Sequence, residues 1–172
     1  MIRIGVISDT HGSLAALDAC IRAAGEVDCW FHLGDYASDA KRLERTGKPV
    51  YRVLGNCDGG FVSSLTEATF PEKQKEICTE AVVNIGGARI LLCHGHTMGV
   101  DLGSWSIGYR AEELCCSAAL YGHTHIAELS AFGKVLKLNP GSPSRPRAGR
   151  KPSFAVMEIE NGDVNAGIKI LS

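Results

Sequence analysis

The sequence predicts a mixed α/β fold in which two β-sheets pack face to face and helices cover the outer side of each. Three observations carry this. The first third alternates strand-like and helix-like segments, the second half is strand-rich and hairpin-like, and no repeat, low-complexity tract or linker interrupts the 172 residues. One domain spanning residues 1–172 is therefore expected, with enough chain to bury a single sizeable core.

The elements follow in order. "IRIGVIS" (2–8) has the β-branched density and length of a buried strand. In "SLAALDACIRAAG", Ser13 is placed to cap a helix, Leu14, Leu17, Ile21 and Ala24 recur at helical spacing, and Gly25 closes it. "DCWFHLG" (28–34) reads as a second strand, "ASDAKRLERTG" (37–47) as a polar helix ending at Gly47, and "PVYRVLG" (49–55) as a third strand. A βαβαβ opening of this kind argues for parallel neighbours in a layered arrangement. "EAVVNIGGARILLCHG" (80–95) is two strands joined at Gly86-Gly87, a strong hairpin signal. A helix is expected through "SIGYRAEELCCSA" (106–118) and a short strand over 118–122. Hairpin-like alternation then runs through "IAELSAFGKVLKLN" and through "SFAVMEIENGDVNAGIKIL" around Asn161-Gly162-Asp163. So many strands in the second half exclude a plain doubly wound sheet.

Composition narrows the function classes. Hydrophobic residues make up 45% and charged residues 22% of the chain, which is ordinary for a globular protein. The formal charge of −1 gives no global electrostatic argument for nucleic acid or an anionic membrane. No apolar run approaches the roughly 18 residues of a membrane span. The opening "MIRIGVISDTHG" lacks a signal peptide's basic start, apolar stretch and cleavage site, and is expected to begin the fold at once. Seven cysteines, at 20, 29, 57, 78, 93, 115 and 116, form no CxxC pair. Their odd number and spacing argue for reduced thiols in a cytoplasm and exclude a cysteine-rich zinc ribbon.

The residues able to bind metal share one kind of place: just after a strand, beside glycine. Asp9 and His11 ("SDTHG") follow the first strand, Asp35 ("HLGD") the second and Asn56 ("GNCD") the third. His94 and His96 ("CHGH") follow the Gly-Gly hairpin, and His123 and His125 ("GHTH") follow "AALY". Strand carboxyl ends in an α/β sheet line a ligand crevice, and flanking glycines let the chain turn so that adjacent polar side chains enter it. Each motif alone is more often a turn, a helix cap or surface decoration; five in one context are hard to explain that way. Carboxylate, amide and imidazole together suit Mn, Fe, Co, Ni or Zn better than they suit an all-oxygen or thiolate site.

In that order, DxH, GD, GNxD, HGH and GHTH resemble the calcineurin-like metallophosphoesterase superfamily. The small size, the cysteine of "GNCD" and "NPGS" at 139–142 are similar to its compact bacterial and archaeal YfcE-like phosphodiesterase branch. The resemblance spans residues 2 to about 160. It implies a four-layer αββα sandwich and two divalent metal ions, with Mn the expected choice and Ni, Zn, Fe, Co or Mg as alternatives. It implies a first site of Asp9, His11, Asp35 and His125 and a second of Asp35, Asn56, His94 and His123, with Asp35 bridging. Two metals roughly 3.5–4 Å apart would clamp the phosphoryl oxygens and activate a bridging hydroxide against a small phosphodiester.

Other residues are weighed singly. Cys57 falls where many phosphatases of the superfamily carry a histidine that protonates the leaving group. A thiol with an ordinary pKa of about 8.5 suits that task less well than imidazole, so diesters with good leaving groups are the expected substrates. His96 is a candidate for the phosphate or the leaving oxygen, or for a supporting hydrogen bond. Asp58 is a candidate to orient the GNxD loop. His32, inside a strand, is expected to be a buried or half-buried structural histidine bonded to a neighbouring loop. Arg147, in the "PGSPSRPRAGRK" loop, is the preferred candidate for a guanidinium contact to phosphate. Cys20, Cys93 and Cys115-Cys116 read as packing residues.

Two other functions compete. A non-catalytic scaffold on the same fold, like the eukaryotic retromer subunit that lost part of the histidine set, is opposed by the presence of His11, His94, His123 and His125. A nuclease relative is opposed by the near-zero charge and the lack of a basic, aromatic-interleaved stripe. A homo-oligomer is compatible with the sequence, which sets no oligomeric state.

Overall fold

A computed structural model describes residues 1–172. The first sheet takes the order β11-β10-β1-β2-β3, built from β1 (Ile2–Ile7), β2 (Cys29–His32), β3 (Val50–Arg52), β10 (Ser153–Glu160) and β11 (Asp163–Ile170). β1, β2 and β3 run parallel, as the βαβαβ opening predicts, while β10 and β11 add antiparallel strands at one side. The second sheet takes the order β4-β5-β6-β7-β9-β8, from β4 (Leu65–Thr69), β5 (Glu80–Ile85), β6 (Ala88–Cys93), β7 (Ala118–Leu120), β8 (Glu128–Phe132) and β9 (Val135–Asn139).

The sheets bury one face against each other. Ile4, Val6, Phe31 and Tyr51 from the first meet Val83, Ile90, Leu92, Leu120 and Leu138 from the second in a fully buried cluster. Burying such side chains contributes about 1.5–3 kcal/mol each, so this seam dominates the fold's driving force. The outer faces are apolar too, because parallel strands here are covered on both sides. α1 (Leu14–Ala24) sets Leu17, Cys20 and Ala24 against Trp30, Phe154 and Val156. α3 (Trp105–Glu113) sets Ile107 and Ala111 against Leu91, Ala119 and Val135. The result is the four-layer sandwich, two mixed sheets between helices.

Local signals account for most boundaries. Ser13 caps α1 by accepting from the Ala16 amide, and Gly25 ends it at φ 69°. Gly86 and Gly87 adopt φ 59° and 85°, as do Asn161 and Gly162 at 53° and 89°, the positive-φ pairs that tight hairpins require.

Three expectations need correction. The polar helix of 37–47 is a 3-10 turn, Ala37–Ala40, followed by α2 (Lys41–Glu44); its buried face is only Ala37, Ala40 and Leu43, too little to hold a longer helix in place. The helix through 118 stops at Glu113, because Cys115 turns left-handed at φ 54° and Cys116 donates back to the Ala111 carbonyl, a helix-ending motif that usually uses glycine. β4 was not expected at all; it pairs parallel with β5 at the sheet edge.

His32 is fully buried, as expected. Its Nε2 faces Thr10 Oγ1 at 3.1 Å, Thr10 Oγ1 donates to Asp39 at 2.7 Å, and the Gly34 amide donates to His32 Nδ1. The neutral ring is fully satisfied, and burial pushes its pKa down to about 4. The unfolded chain takes up this proton near pH 6.5, whereas the folded chain does so only near 4. Stability should therefore fall by about 3 kcal/mol as pH drops through that window. Urea unfolding with a chelator at pH 7 and pH 4.5 checks this: wild type should lose more stability than His32→Gln, and equal losses would refute it.

Candidate metal centre

The candidate ligands converge from both sheets. Asp9 and His11 follow β1, Asp35 follows β2, Asn56 lies beyond β3, His94 follows β6, and His123 and His125 follow β7. Five of these seven, Asp9, His11, Asp35, His123 and His125, have φ between 45° and 69°. Asp and His tolerate this region better than most residues, but a run of such positions costs energy and marks a functional site more often than a structural one.

Ligand atoms of Asp9, His11, Asp35 and His125 all lie within 4.8 Å of one another. His125 Nε2 is 3.1 Å from His11 Nε2 and 3.2 Å from Asp9 Oδ1. His11 Nε2 is 3.6 Å from Asp35 Oδ2. On the other side of Asp35, His94 Nε2 approaches Oδ1 at 3.3 Å, and His123 Nδ1 faces Asn56 Oδ1 at 3.1 Å. The His94 and His123 rings are 5.2 Å apart. Asp35 thus stands between two groups of ligand-type atoms.

Backbone carbonyls fix the ring orientations. His94 Nδ1 donates to the Leu33 carbonyl at 2.7 Å, and His125 Nδ1 donates to the Arg145 carbonyl at 2.7 Å. Each leaves its Nε2 lone pair aimed inward, as outer partners of metal-bound histidines do. Ser8 Oγ and the His123 amide both donate to Asp9 Oδ2, which leaves Oδ1 free.

The donor set fits divalent cations. Asp9 Oδ1 and His94 Nε2 are buried without a hydrogen-bond partner, a costly state for polar atoms unless a ligand completes it. Burial alone would raise the Asp9 and Asp35 carboxyls, yet His125, His94 and Ser8 hold Asp9 below the usual range, and His94 and Cys57 do the same for Asp35. Two ionised carboxylates therefore sit among imidazoles in a closed space. Burial alone would lower His94, yet Asp35 and Asp9 raise it.

The remaining candidates lie around this centre. Cys57 is exposed; its amide donates to Asp35 Oδ1 at 3.0 Å and its Sγ to Oδ2 at 3.3 Å. Partial burial and the Asp35 carboxylate push the thiol up to about 11, poorly matched to proton transfer near neutrality. Cys57→His should accordingly raise hydrolysis of an alkyl phosphate monoester about tenfold or more, read as kcat/KM; no gain would mean another group supplies the proton. Asp58 accepts from the Gly55 amide with one oxygen and the Ala37 amide with the other, so it holds the Asn56 loop. His96 Nε2 bonds the Gly60 carbonyl, and its Nδ1 is buried with no partner. Arg147 donates its amide to the His125 carbonyl at 3.2 Å, while its exposed side chain reaches solvent. His11 is held low mainly by burial, against Asp35 and Asp9, with Arg145 of the same loop a minor contributor.

Residues outside the candidate site set support the ligand loops. Asn139 Nδ2 donates to the Gly122 carbonyl and to Thr124 Oγ1. Ser142 and Ser144 donate to the Asp9 carbonyl. Asp101 Oδ2 lies 2.9 Å from His123 Nε2. Only the "NPGS" motif offered a signal for any of these.

A two-sheet sandwich with aspartate, asparagine and histidine gathered at its strand ends defines the metallophosphoesterase class. The chain belongs to the calcineurin-like phosphoesterase superfamily, whose domain model matches residues 2–162. It is 33% identical over 157 residues to the probable metallophosphoesterase YsnB of Bacillus subtilis, covering 91% of this chain and 83% of that one. It is 25% identical over 175 residues to the phosphodiesterase YfcE of Escherichia coli, covering 92% and 88%. Among solved structures, a predicted phosphoesterase from Streptococcus pneumoniae superposes with a TM-score of 0.72 at 27% identity, over 98% of this chain and 89% of that one. Vps29 of Entamoeba histolytica complexed with zinc shares the fold, with a TM-score of 0.69 at 22% identity over 99% and 100% of the two chains.

Proposed function

We propose that this protein is a metal-dependent phosphodiesterase acting on a small diester. The observation that carries the reading is the pair of ligand groups sharing Asp35, with Asp9 Oδ1 and His94 Nε2 buried and unpartnered between them. Asp9, His11, Asp35 and His125 would hold one divalent ion, and Asp35, Asn56, His94 and His123 a second. Ions so held supply Lewis-acid charge that offsets a phosphoryl group and acidifies water near neutral pH. The protein's own part is to orient. Leu33 and Arg145 fix two imidazoles through their carbonyls, Ser8 and the His123 amide fix the Asp9 carboxylate, and Asp58 fixes the loop that carries Asn56 and Cys57. His96, whose Nδ1 is buried without a partner beside His94 and His123, would be the candidate for contact with the phosphate or the leaving oxygen, and Arg145 and Arg147 lie on the loop whose backbone bonds His125.

The diester preference follows from Cys57, a weak acid beside Asp35 where a stronger proton donor would serve monoesters. The 25% identity to a relative named a phosphodiesterase supports it. Manganese is the first ion to try, with Ni, Zn, Fe, Co and Mg after it, since imidazole and carboxylate accept several divalent ions. No helix is long and apolar enough to cross a membrane, and all seven cysteines are unpaired, which supports a reducing compartment such as the cytoplasm.

Hydrolysis of bis(p-nitrophenyl) phosphate with Mn²⁺ or Ni²⁺, its loss on chelation and its return on re-addition are the expected results. A metal-loaded protein that turns over no aryl diester would favour the scaffold reading, for which the Vps29 likeness gives the fold and no more. Steeply salt-dependent DNA binding would favour a nuclease instead.

A further inference from the structure

We propose that Asp101 is a positioning residue for His123, setting which nitrogen the ring offers to the metal centre. This rests on the metal-dependent reading above. Asp101 Oδ2 lies 2.9 Å from His123 Nε2. A carboxylate can only accept, so Nε2 carries a proton, and the neutral ring, the form that binds a metal, keeps its lone pair on Nδ1. That lone pair faces Asn56 Oδ1 at 3.1 Å, an atom that also accepts. Two acceptors turned toward each other at that separation repel, unless a cation lies between them. The carboxylate that sets this state at Nε2 therefore prepares Nδ1 as a ligand, the relation that carboxylates bear to metal-bound histidines elsewhere.

His123 differs here from its two neighbours. His94 and His125 are oriented from Nδ1 by buried backbone carbonyls and point Nε2 inward. His123 is oriented from the opposite nitrogen, by a side chain, at the open rim. That side chain is itself held in place. Asp101 sits in the 3-10 turn Val100–Leu102, whose Val100 is buried against the α3 layer. The Val100 amide donates to the Gly95 carbonyl, and the Gly103 amide donates to Val100. The turn is thus packed directly onto the His94–His96 segment. The alternative is an exposed ion pair, since the Asp101 side chain is 63% accessible, and exposed pairs commonly contribute almost nothing.

Titration of metal-free protein with Mn²⁺ by calorimetry, and with Co²⁺ by its visible d–d spectrum, separates the two. Asp101→Ala should weaken the weaker-bound of two ions about 10–100-fold and alter the Co²⁺ bands, with the unfolding midpoint in chelator unchanged. In a His123→Ala background the same substitution should add no further loss. Affinity within twofold of wild type, or an equal loss without His123, would overturn the role of Asp101 while leaving the metal centre standing. Wild-type protein that binds no second ion would overturn the metal-centre reading, and this role with it.

Discussion

Asp35→Asn is expected to lower kcat/KM for an aryl phosphodiester by roughly 10³-fold and to reduce the ions bound per chain. Asp35 faces both ligand groups at close range, with Oδ2 3.6 Å from His11 and Oδ1 3.3 Å from His94. Asparagine keeps its shape and tolerates the left-handed φ of 53°, so the fold should survive while the bridging charge is lost. The amide also places an NH2 against either His94 or His11, where a lone pair already points. The loss should therefore appear mainly in turnover and metal stoichiometry, with the melting profile in chelator close to wild type. A variant that keeps two ions and wild-type turnover would refute the shared role of this carboxylate.

Gly122→Ala should damage the centre by a different route, through space. A Cβ at this position would meet Ser8 Oγ at 1.9 Å and Asp9 Oδ2 at 2.6 Å. Both atoms are committed, since Ser8 Oγ donates to Asp9 Oδ2 at 2.6 Å, and the Gly122 carbonyl is itself held by Asn139. Neither side can yield without moving a buried carboxylate. Overpacking of this kind costs about 1–3 kcal/mol, and here it would also turn Asp9 Oδ1 away from His125. The expected outcome is a lower unfolding midpoint in chelator together with weaker Mn²⁺ binding. Gly167→Ala is the control: nothing lies within 4 Å of its Cβ position, and its effect should stay within about 0.5 kcal/mol. If the two variants melt and bind alike, the close approach at Gly122 carries no weight.

The candidate ligands were legible as a group because glycine and strand signals coincide at each of them. "SDTHG", "HLGD" and "GHTH" announce both the turn and the chemistry. Elements without such punctuation were harder to read. β4, "LTEAT", is half-exposed with Glu67 in its centre, so neither a buried run nor a clean alternation marked it. The end of α3 was hidden because Cys115 occupies the left-handed position where a glycine would have signalled a stop. The carbonyls of Leu33 and Arg145 were invisible for a deeper reason: every residue has one, and only the fold decides which will meet an imidazole. Asp101 was overlooked likewise, since "GVDLG" reads as a turn and its partner lies 22 residues away.

The proposed ligand set draws four residues from the loops of the first sheet, Asp9, His11, Asp35 and Asn56, and three from those of the second, His94, His123 and His125. The apolar seam between the sheets is non-directional and resists sliding only through the fit of its side chains. Ions gripped from both sides would rivet the two sheets together at their open end. Parting the layers there would then require releasing the ions, so that free-metal concentration would set how firmly this end of the sandwich stays shut.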